Sequence, residues 1–506
     1  MKKNIFKTFS LIFIITVISK FLGLFRDIVF AKYYGTGYVA NAFFAAIRIP
    51  TQLVDIILSS AIVSTFVPIF NQVLQKDGKD KANKFANNFV NIVALISTAI
   101  AIIGIIFAPQ IVKALAGGFD TQTFNLTVEL IKITFPMIIF TAIAYSLVGF
   151  LQSYGQFNIP AMISAVSNLV IIIFLLLFRE KFGIHGVAGC MLFAWLLQVL
   201  IQVPFAKKYG YPFGLHIDFK DENIKRVFLL SIPILISTAV LPINNLVSTR
   251  LASGMGDNAV SAMEYAYKLY VVISGVFTYA IGNIIFPEMS RASADDNKEE
   301  YKEIINKAMR MMIYILIPLT IGITIFSKDI ISVIYERGEF TAESTLVTSS
   351  ILTFFSVGII GSGIVEVMNK AFYAKQDTKS PLIAGIIMII INVILCVTLS
   401  KFLDVKGLAL ATSITAIVNA ITLMYMANRN VKIITKELGT FIAKVVISAL
   451  VMGVVVYLLN KYLQASSLIN IFRMIIGAAM GVVTYYLMTY LLKANEIKLF
   501  KKTDIV

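Results

Sequence analysis

Six basic side chains fall inside long apolar runs of this 506-residue chain: Lys20, Arg26, Arg48, Lys132, Lys268 and Lys444. A charge at the centre of a bilayer costs at least about 2.5–3.5 kcal/mol, so a basic residue at that depth faces a cavity or a partner unless it can snorkel to the surface. Lys132 and Lys444 lie within about two turns of a predicted helix end and are read as snorkelling. Lys20, Arg26, Arg48 and Lys268 are the candidates for a cavity. Lysine and arginine at a wet site favour an anion, and phosphate fits both. Groups at this depth suit an amphiphile whose head needs a wet cavity while its tail stays in lipid. The acidic residues at depth are Asp27, Asp55, Glu129, Glu264 and Glu366. Glu264 and Lys268 are spaced i, i+4 and can pair on one helix face. Asp55 and Glu366 show no local partner; they are either cation or proton sites, or they neutralise a basic residue across the cavity.

No catalytic constellation accompanies these charges. There is no Walker A sequence, so no nucleotide drives the chain directly, and no G-x-S-x-G elbow. His185 and His216 are the only histidines, and neither sits in an HExxH context. Two Cys and two His far apart make a multi-ligand metal site a poor reading. Cys190 and Cys396 fall in apolar segments, which excludes a disulfide framework. The sequence therefore points away from an enzyme and requires no cofactor. A membrane transferase would rest on Asp27 or Asp55 alone.

The elements that must carry these residues are membrane helices. The chain is 58% apolar and only 14% charged, with a mean hydropathy of +0.84. A soluble protein carries about 25% charged residues. Runs near 20 apolar residues predict an all-α polytopic membrane protein with about 14 transmembrane helices. Pro50 breaks or kinks the overlong second span, predicted over 38–70. The lysines at the start precede an apolar run that continues past Lys20 without a cleavage site, which reads as an uncleaved first span. With an even number of spans both termini share a side. Placing them in the cytoplasm puts 27 of the 44 basic residues in cytoplasmic segments and 11 outside, as the positive-inside rule requires. The net charge of +16 thus reads as topology in a cell membrane rather than as nucleic-acid binding.

The chain also resembles itself at an offset near 220. Ala31 and Gly35 fall on Ala252 and Gly256, Pro68 lies close to Pro287, and Gly118-Phe119 is echoed by Gly338-Glu339-Phe340. Lys268 stands at the equivalent of the Arg48 region. An offset of six helices gives both copies the same polarity, the arrangement of two-lobed alternating-access transporters. The expected organisation is an N-terminal lobe over 1–206, a C-terminal lobe over 222–427, and an appended helix pair over 438–492. Such a fold needs no oligomer to form its site.

The run Ser19-Lys20-Phe21-Leu22-Gly23-Leu24-Phe25-Arg26-Asp27, then Tyr34-Gly35-Thr36-Gly37 and Ala40-Asn41-Ala42-Phe43-Phe44-Ala45-Ala46-Ile47-Arg48-Ile49-Pro50, resembles the N-terminal signature of the MviN/MurJ family of lipid II flippases. Lys132-Ile133-Thr134-Phe135-Pro136, Gly338-Glu339-Phe340-Thr341 and Asp377-Thr378-Lys379-Ser380-Pro381 look like further family landmarks. The resemblance covers essentially the whole chain. It implies the fold of the multidrug/oligosaccharidyl-lipid/polysaccharide exporter superfamily. It also implies transfer of lipid-linked peptidoglycan precursor (lipid II) from the cytoplasmic to the outer leaflet, with basic residues in a central cavity receiving the diphosphate head.

By position, Arg26 keeps the family's arginine. Lys20 and Lys268 stand where arginine is usual, which keeps charge but loses the bidentate fork. Asn41 replaces the usual Asp, and Arg48 stands one turn before an expected cavity arginine. Those residues, with Asp27 and Glu264, are the substrate-binding candidates. The resemblance also raises a monovalent cation between spans 7 and 11, where Asn245 and Asn392 offer only amide oxygens. The alternatives are a flippase for another undecaprenyl-diphosphate-linked oligosaccharide, or a small-molecule exporter of the same superfamily.

Overall fold

A computed structural model describes residues 2–54, 65–295, 297–464 and 469–494. Asp55 lies outside the described residues. All regular structure among them is helical. The chain divides into two compact units, Met1–Ser261 and Ala262–Val506.

The first unit contains α1 (Lys2–Tyr34), α2 (Tyr38–Val54), α3 (Val67–Asp77), α4 (Lys79–Ile106), α5 (Ala108–Ala116), α6 (Thr121–Thr134), α7 (Met137–Ser153), α8 (Asn158–Leu177), α9 (Arg179–Lys208), α10 (Glu222–Thr238) and α11 (Val240–Ala252). Proline decides several of the breaks. Pro109 sits in the first turn of α5, where its missing N–H costs nothing, and so parts α5 from α4. Pro136 parts α6 from α7 and Pro242 lies in the first turn of α11. The runs predicted over 86–112, 125–152 and 226–249 are each interrupted at a proline, and the second, Thr121–Ser153, still makes one apolar span. α1 packs on α8, α8 on α9, α2 on α6, and α4 on α7. Phe66, Phe85 and Phe89 stack with centroids 4.6–5.6 Å apart, and Phe70 meets Phe150 edge-on at 5.6 Å. Such rings anchor the junction of α3, α4 and α7.

The turn after α5 meets the end of α11 at backbone distance. A Cβ built on Gly118 would lie 2.5 Å from the Gly254 nitrogen and 2.6 Å from its Cα. The Gly118 N–H donates to the Ser253 hydroxyl at 3.0 Å.

The second unit holds most of α12 (Ala259–Ala294), then α13 (Lys298–Tyr335), α14 (Ala342–Ser356), α15 (Ile359–Ala374), α16 (Lys379–Val431), α17 (Lys436–Gln464) and α18 (Asn470–Leu491). α14 and α15 bend by 43° at their break. α16 is 53 residues long but reverses at Asp404, where φ is 49° and ψ −135°. Phe340 of the Gly338-Glu339-Phe340 landmark is buried against Tyr265 and Tyr335. α13 carries the C-terminal pair: Arg473 of α18, partly buried, bonds the buried Asp329 at 2.8 Å, and the Tyr485 hydroxyl donates to the Tyr314 carbonyl at 2.7 Å.

Among the described residues eight helical stretches, with α6 and α7 taken together as one, are long and apolar enough to cross a membrane, or nine with the α14–α15 pair. Their outward faces carry large apolar side chains such as Leu177, Val482 and Leu491, each about 70% exposed, which in a bilayer are covered by lipid. The chain is thus an all-helical polytopic membrane protein.

Left-handed backbone positions recur along it. Gly35, Gly155 and Gly183 have positive φ, and so do Gly256, Gln376 and Asp404, each 221 residues later. Gly210 and Lys432 form a fourth pair, 222 apart. Gly155, Gln376, Gly210, Lys432 and Gly35 each close a helix with a left-handed residue, a common C-terminal cap, whereas Gly256 lies in the turn between α11 and α12. The pair Gly183 and Asp404 turns the chain between two spans.

Candidate functional site

In the first unit, α1 presents Lys20, Arg26 and Asp27. Arg26 wraps onto its neighbour, with Nε at 3.1 Å and Nη2 at 2.9 Å from Asp27 Oδ1. Its Nη1 donates to Asn168 Oδ1 of α8 at 3.0 Å. Asn168 is buried and its amide also donates to the Ser19 carbonyl at 3.4 Å, so α8 grips α1 at two levels. Asp27 is buried while a quarter of the Arg26 side chain is accessible. The guanidinium is oriented from behind and keeps an open face, which is what anion recognition needs. Lys20 is exposed, a turn and a half earlier on the same helix.

Arg48 of α2 is buried. Its Nη1 donates to the Thr249 hydroxyl of α11 at 3.0 Å, and that hydroxyl donates to the Asn245 carbonyl at 2.9 Å. One turn on, the Asn245 amide donates to Gln52 Oε1 at 3.2 Å. Asn41, fully buried, accepts from the Ser261 N–H at 2.8 Å, while the Ser261 hydroxyl donates to the Thr36 carbonyl at 2.6 Å. Arg48, Asn41 and Asn245 thus tie α2 to α11 and to the start of α12.

In the second unit Lys268 and Glu264 pair on α12 at 3.8 Å, as their spacing predicts. Glu366 of α15 has the local partner the sequence reading missed: Lys370 at i+4, 3.4 Å away. Placing Lys370 in a loop hid the pair; α15 runs on to Ala374 and keeps both residues on one face. The Lys370 ammonium also packs over Gly282 of α12, 2.7 Å from where a Cβ would lie. Asn392 donates to the Thr415 hydroxyl at 3.2 Å and accepts from the Cys396 thiol at 3.5 Å, so its amide joins two stretches of α16. Asn245 and Asn392 belong to different units.

Sequence reasoning missed Asn168, Thr249 and Gln52. The signal was present for Asn168: an amide inside an apolar span is expensive unless hydrogen-bonded, so it implies a partner on another helix. Nothing local said which. The Asp377-Thr378-Lys379-Ser380-Pro381 landmark is a helix start. Asp377 accepts from the Lys379 and Ser380 amides at 3.0 Å and from the Ser380 hydroxyl at 2.6 Å.

Residues 30–477 match the family model described as "Lipid II flippase MurJ". The chain belongs to that family. A probable lipid II flippase MurJ of Rhizobium tropici is 29% identical over 458 residues, which is 88% of this chain and 86% of the relative. The lipid II flippase MurJ of Burkholderia cenocepacia is 26% identical, covering 83% of each. Among solved structures, a lipid II flippase MurJ in an inward closed conformation superposes with a TM-score of 0.83 at 27% identity, over 96% of this chain and all of that one. An inward-facing MATE-family transporter aligns at a TM-score of 0.70 and 14% identity, over 84% of this chain and 98% of that chain, which shows a shared fold. MurJ-family membership and the apolar helices together make this a membrane transporter.

Proposed function

We propose that this chain moves lipid II across the inner membrane, from the cytoplasmic to the outer leaflet, by alternating access. It does so without catalysis: the diphosphate head enters a cationic cavity, crosses, and leaves with its tail still in lipid. Both termini are cytoplasmic in this reading. Fourteen spans form two six-helix lobes and an appended pair. Arg26 is the main anion contact, with Lys20 and Lys268 adding charge and Glu264 holding Lys268. Asp27 and Asn168 position Arg26. Arg48 and Asn41 act differently from the sequence expectation. They close α2 against α11 and α12, and reach the head group only when those contacts open. Glu366 serves by holding Lys370.

The observation that carries the reading is the Arg26 guanidinium. It is held at membrane depth by a buried carboxylate and a buried amide, yet is partly accessible. In proteoliposomes containing labelled lipid II, the purified chain should make label accessible at the opposite leaflet. Arg26→Ala should lower that rate by about one to two orders of magnitude, the value of a charge-assisted hydrogen bond pair. Arg26→Lys should recover part of it. Undiminished flipping by a folded Arg26→Ala variant removes Arg26 from the site. Movement of another undecaprenyl-diphosphate glycan but not of lipid II overturns the substrate assignment.

A further inference from the structure

The segment joining α9 to α10 is extended, and its apolar side chains alternate outward. Phe213, Leu215, Ile217 and Phe219 are 48%, 93%, 41% and 53% exposed. The backbone beneath them is clamped by four asparagines of α4. Asn83 donates to the carbonyls of Tyr209 (3.1 Å) and Gly210 (2.9 Å). Asn87 and Asn91 both donate to the Gly214 carbonyl, at 2.7 and 2.8 Å, and Asn91 also to that of His216 at 3.2 Å. Asn88 exchanges two bonds with Asp218, at 2.8 and 2.9 Å. Asparagines at i, i+4, i+5 and i+8 form one helix face, so the clamp is written into α4.

The depth of this segment follows from α4. Its 28 residues span about 42 Å, against about 30 Å of hydrocarbon, so roughly eight residues protrude. The protruding end is the one bearing Lys79, Lys81 and Lys84, since Ile102, Ile103 and Ile106 at the other end are exposed and apolar. Asn87 and Asn91 then stand at the boundary between head groups and acyl chains. Non-helical backbone reaches that depth only if protein satisfies its carbonyls, which is what the asparagines do. Lys84, Lys207, Lys208 and Lys220 surround the segment, all exposed, with the Lys207 ammonium 5.9 Å from the Phe213 ring. The acids nearby are Asp80, Asp218, Asp221 and Glu222; the Asp218 and Asp221 carboxylates accept from the Lys220 and Asn223 amides.

We propose that residues 211–219 are an interfacial wedge. Phe213, Leu215, Ile217 and Phe219 insert into the acyl boundary of an anionic lipid surface, and the flanking lysines hold the lipid phosphates. This goes beyond the transport reading and does not depend on which substrate is moved.

The test uses the full chain in proteoliposomes. Leu215→Trp is combined with Trp195→Phe, which removes the single native tryptophan. Phe213→Trp is the second reporter should the first fail to fold. The expected result is blue-shifted emission, quenched by phospholipid brominated near the top of its acyl chain and shielded from aqueous iodide. Replacing Lys207 and Lys220 with Gln should lower the preference for quenching by brominated phosphatidylglycerol over brominated phosphatidylcholine by about fivefold per lysine. Red emission open to iodide but not to bromolipid overturns the proposal by placing the segment in water. Shielding from both quenchers also overturns it, by placing protein over the segment. An unchanged lipid preference in the lysine variants overturns the anionic part.

Discussion

The two glycines that meet between α5 and α11 are not equivalent, and their difference is measurable. Alanine at 118 would put a methyl group 2.5 Å from the Gly254 nitrogen, 2.6 Å from its Cα and 2.8 Å from the Ser253 carbonyl carbon. All three are backbone atoms, so no side chain can swing away. Relief requires the helix ends to part by about 1 Å, the shortfall from a normal contact of about 3.5 Å. Overpacking of this kind costs about 1–3 kcal/mol, a shift of about 5- to 150-fold away from the closed contact. Parting also breaks the 3.0 Å bond from Gly118 to Ser253. Alanine at 254 meets nothing nearer than the Leu251 carbonyl at 3.8 Å and the Gly118 Cα at 3.9 Å, which is ordinary contact. Neither glycine has positive φ, so backbone strain does not confuse the comparison. With Asn245→Cys as reporter beside Gln52, labelling by an impermeant maleimide added outside should rise at least severalfold for Gly118→Ala and stay unchanged for Gly254→Ala. The native thiols are buried and contribute little background. Equal labelling of the two variants refutes the steric reasoning.

Asp404→Gly should stabilise the chain by about 1 kcal/mol, since a non-glycine residue in that φ/ψ region costs about 1–3 kcal/mol, offset by glycine's unfolded-state entropy; a melting curve in detergent checks it. Asp329→Ala should cost about 2–3 kcal/mol by leaving the partly buried Arg473 charge without its carboxylate, and Asp329→Ala with Arg473→Met should recover most of that loss. For Asp377, burial pushes the carboxyl up, but the Ser380 hydroxyl, the Ser380 and Lys379 amides and the Lys379 charge outweigh it and hold the group below its ordinary value. Its folded value being depressed, its contribution is complete above the unfolded value of about 3.9 and fades as pH falls through the lower folded one. Asp377→Ala should therefore cost about 1 kcal/mol at neutral pH, and its melting temperature should converge on the parent's as the medium is acidified below about pH 4.

The membrane class was legible because apolar runs and sparse charge leave no other solution. The pair Glu264–Lys268 was legible because i, i+4 spacing is local. Glu366–Lys370 obeys the same rule and was missed because Lys370 was counted with the cytoplasmic basic residues. The helix breaks at Pro109, Pro136 and Pro242 were not read from the sequence, because each lies inside an unbroken apolar run; the run broken at Pro136 still makes one span, Thr121–Ser153. The polar ties of the first unit were out of reach for a different reason. Arg26 and Asn168 are 142 residues apart, and Arg48 and Thr249 are 201 apart, so only the packed helices reveal the partner. Arg48 shows the limit plainly: its type and depth marked it as a candidate, while its burial and its bond to Thr249 show a tie between helices that no local spacing announces.

The left-handed positions that recur 221 or 222 residues apart carry a further lesson about where glycine is needed. The earlier member of each pair is glycine, whereas three of the later members are Gln376, Asp404 and Lys432. The backbone takes a left-handed turn at both members of a pair whether or not glycine stands there. A side chain at these positions accepts a strained φ so that the chain can still turn at the same spacing. A search for duplicated glycines would find one pair, Gly35 and Gly256; a comparison of backbone angles finds four.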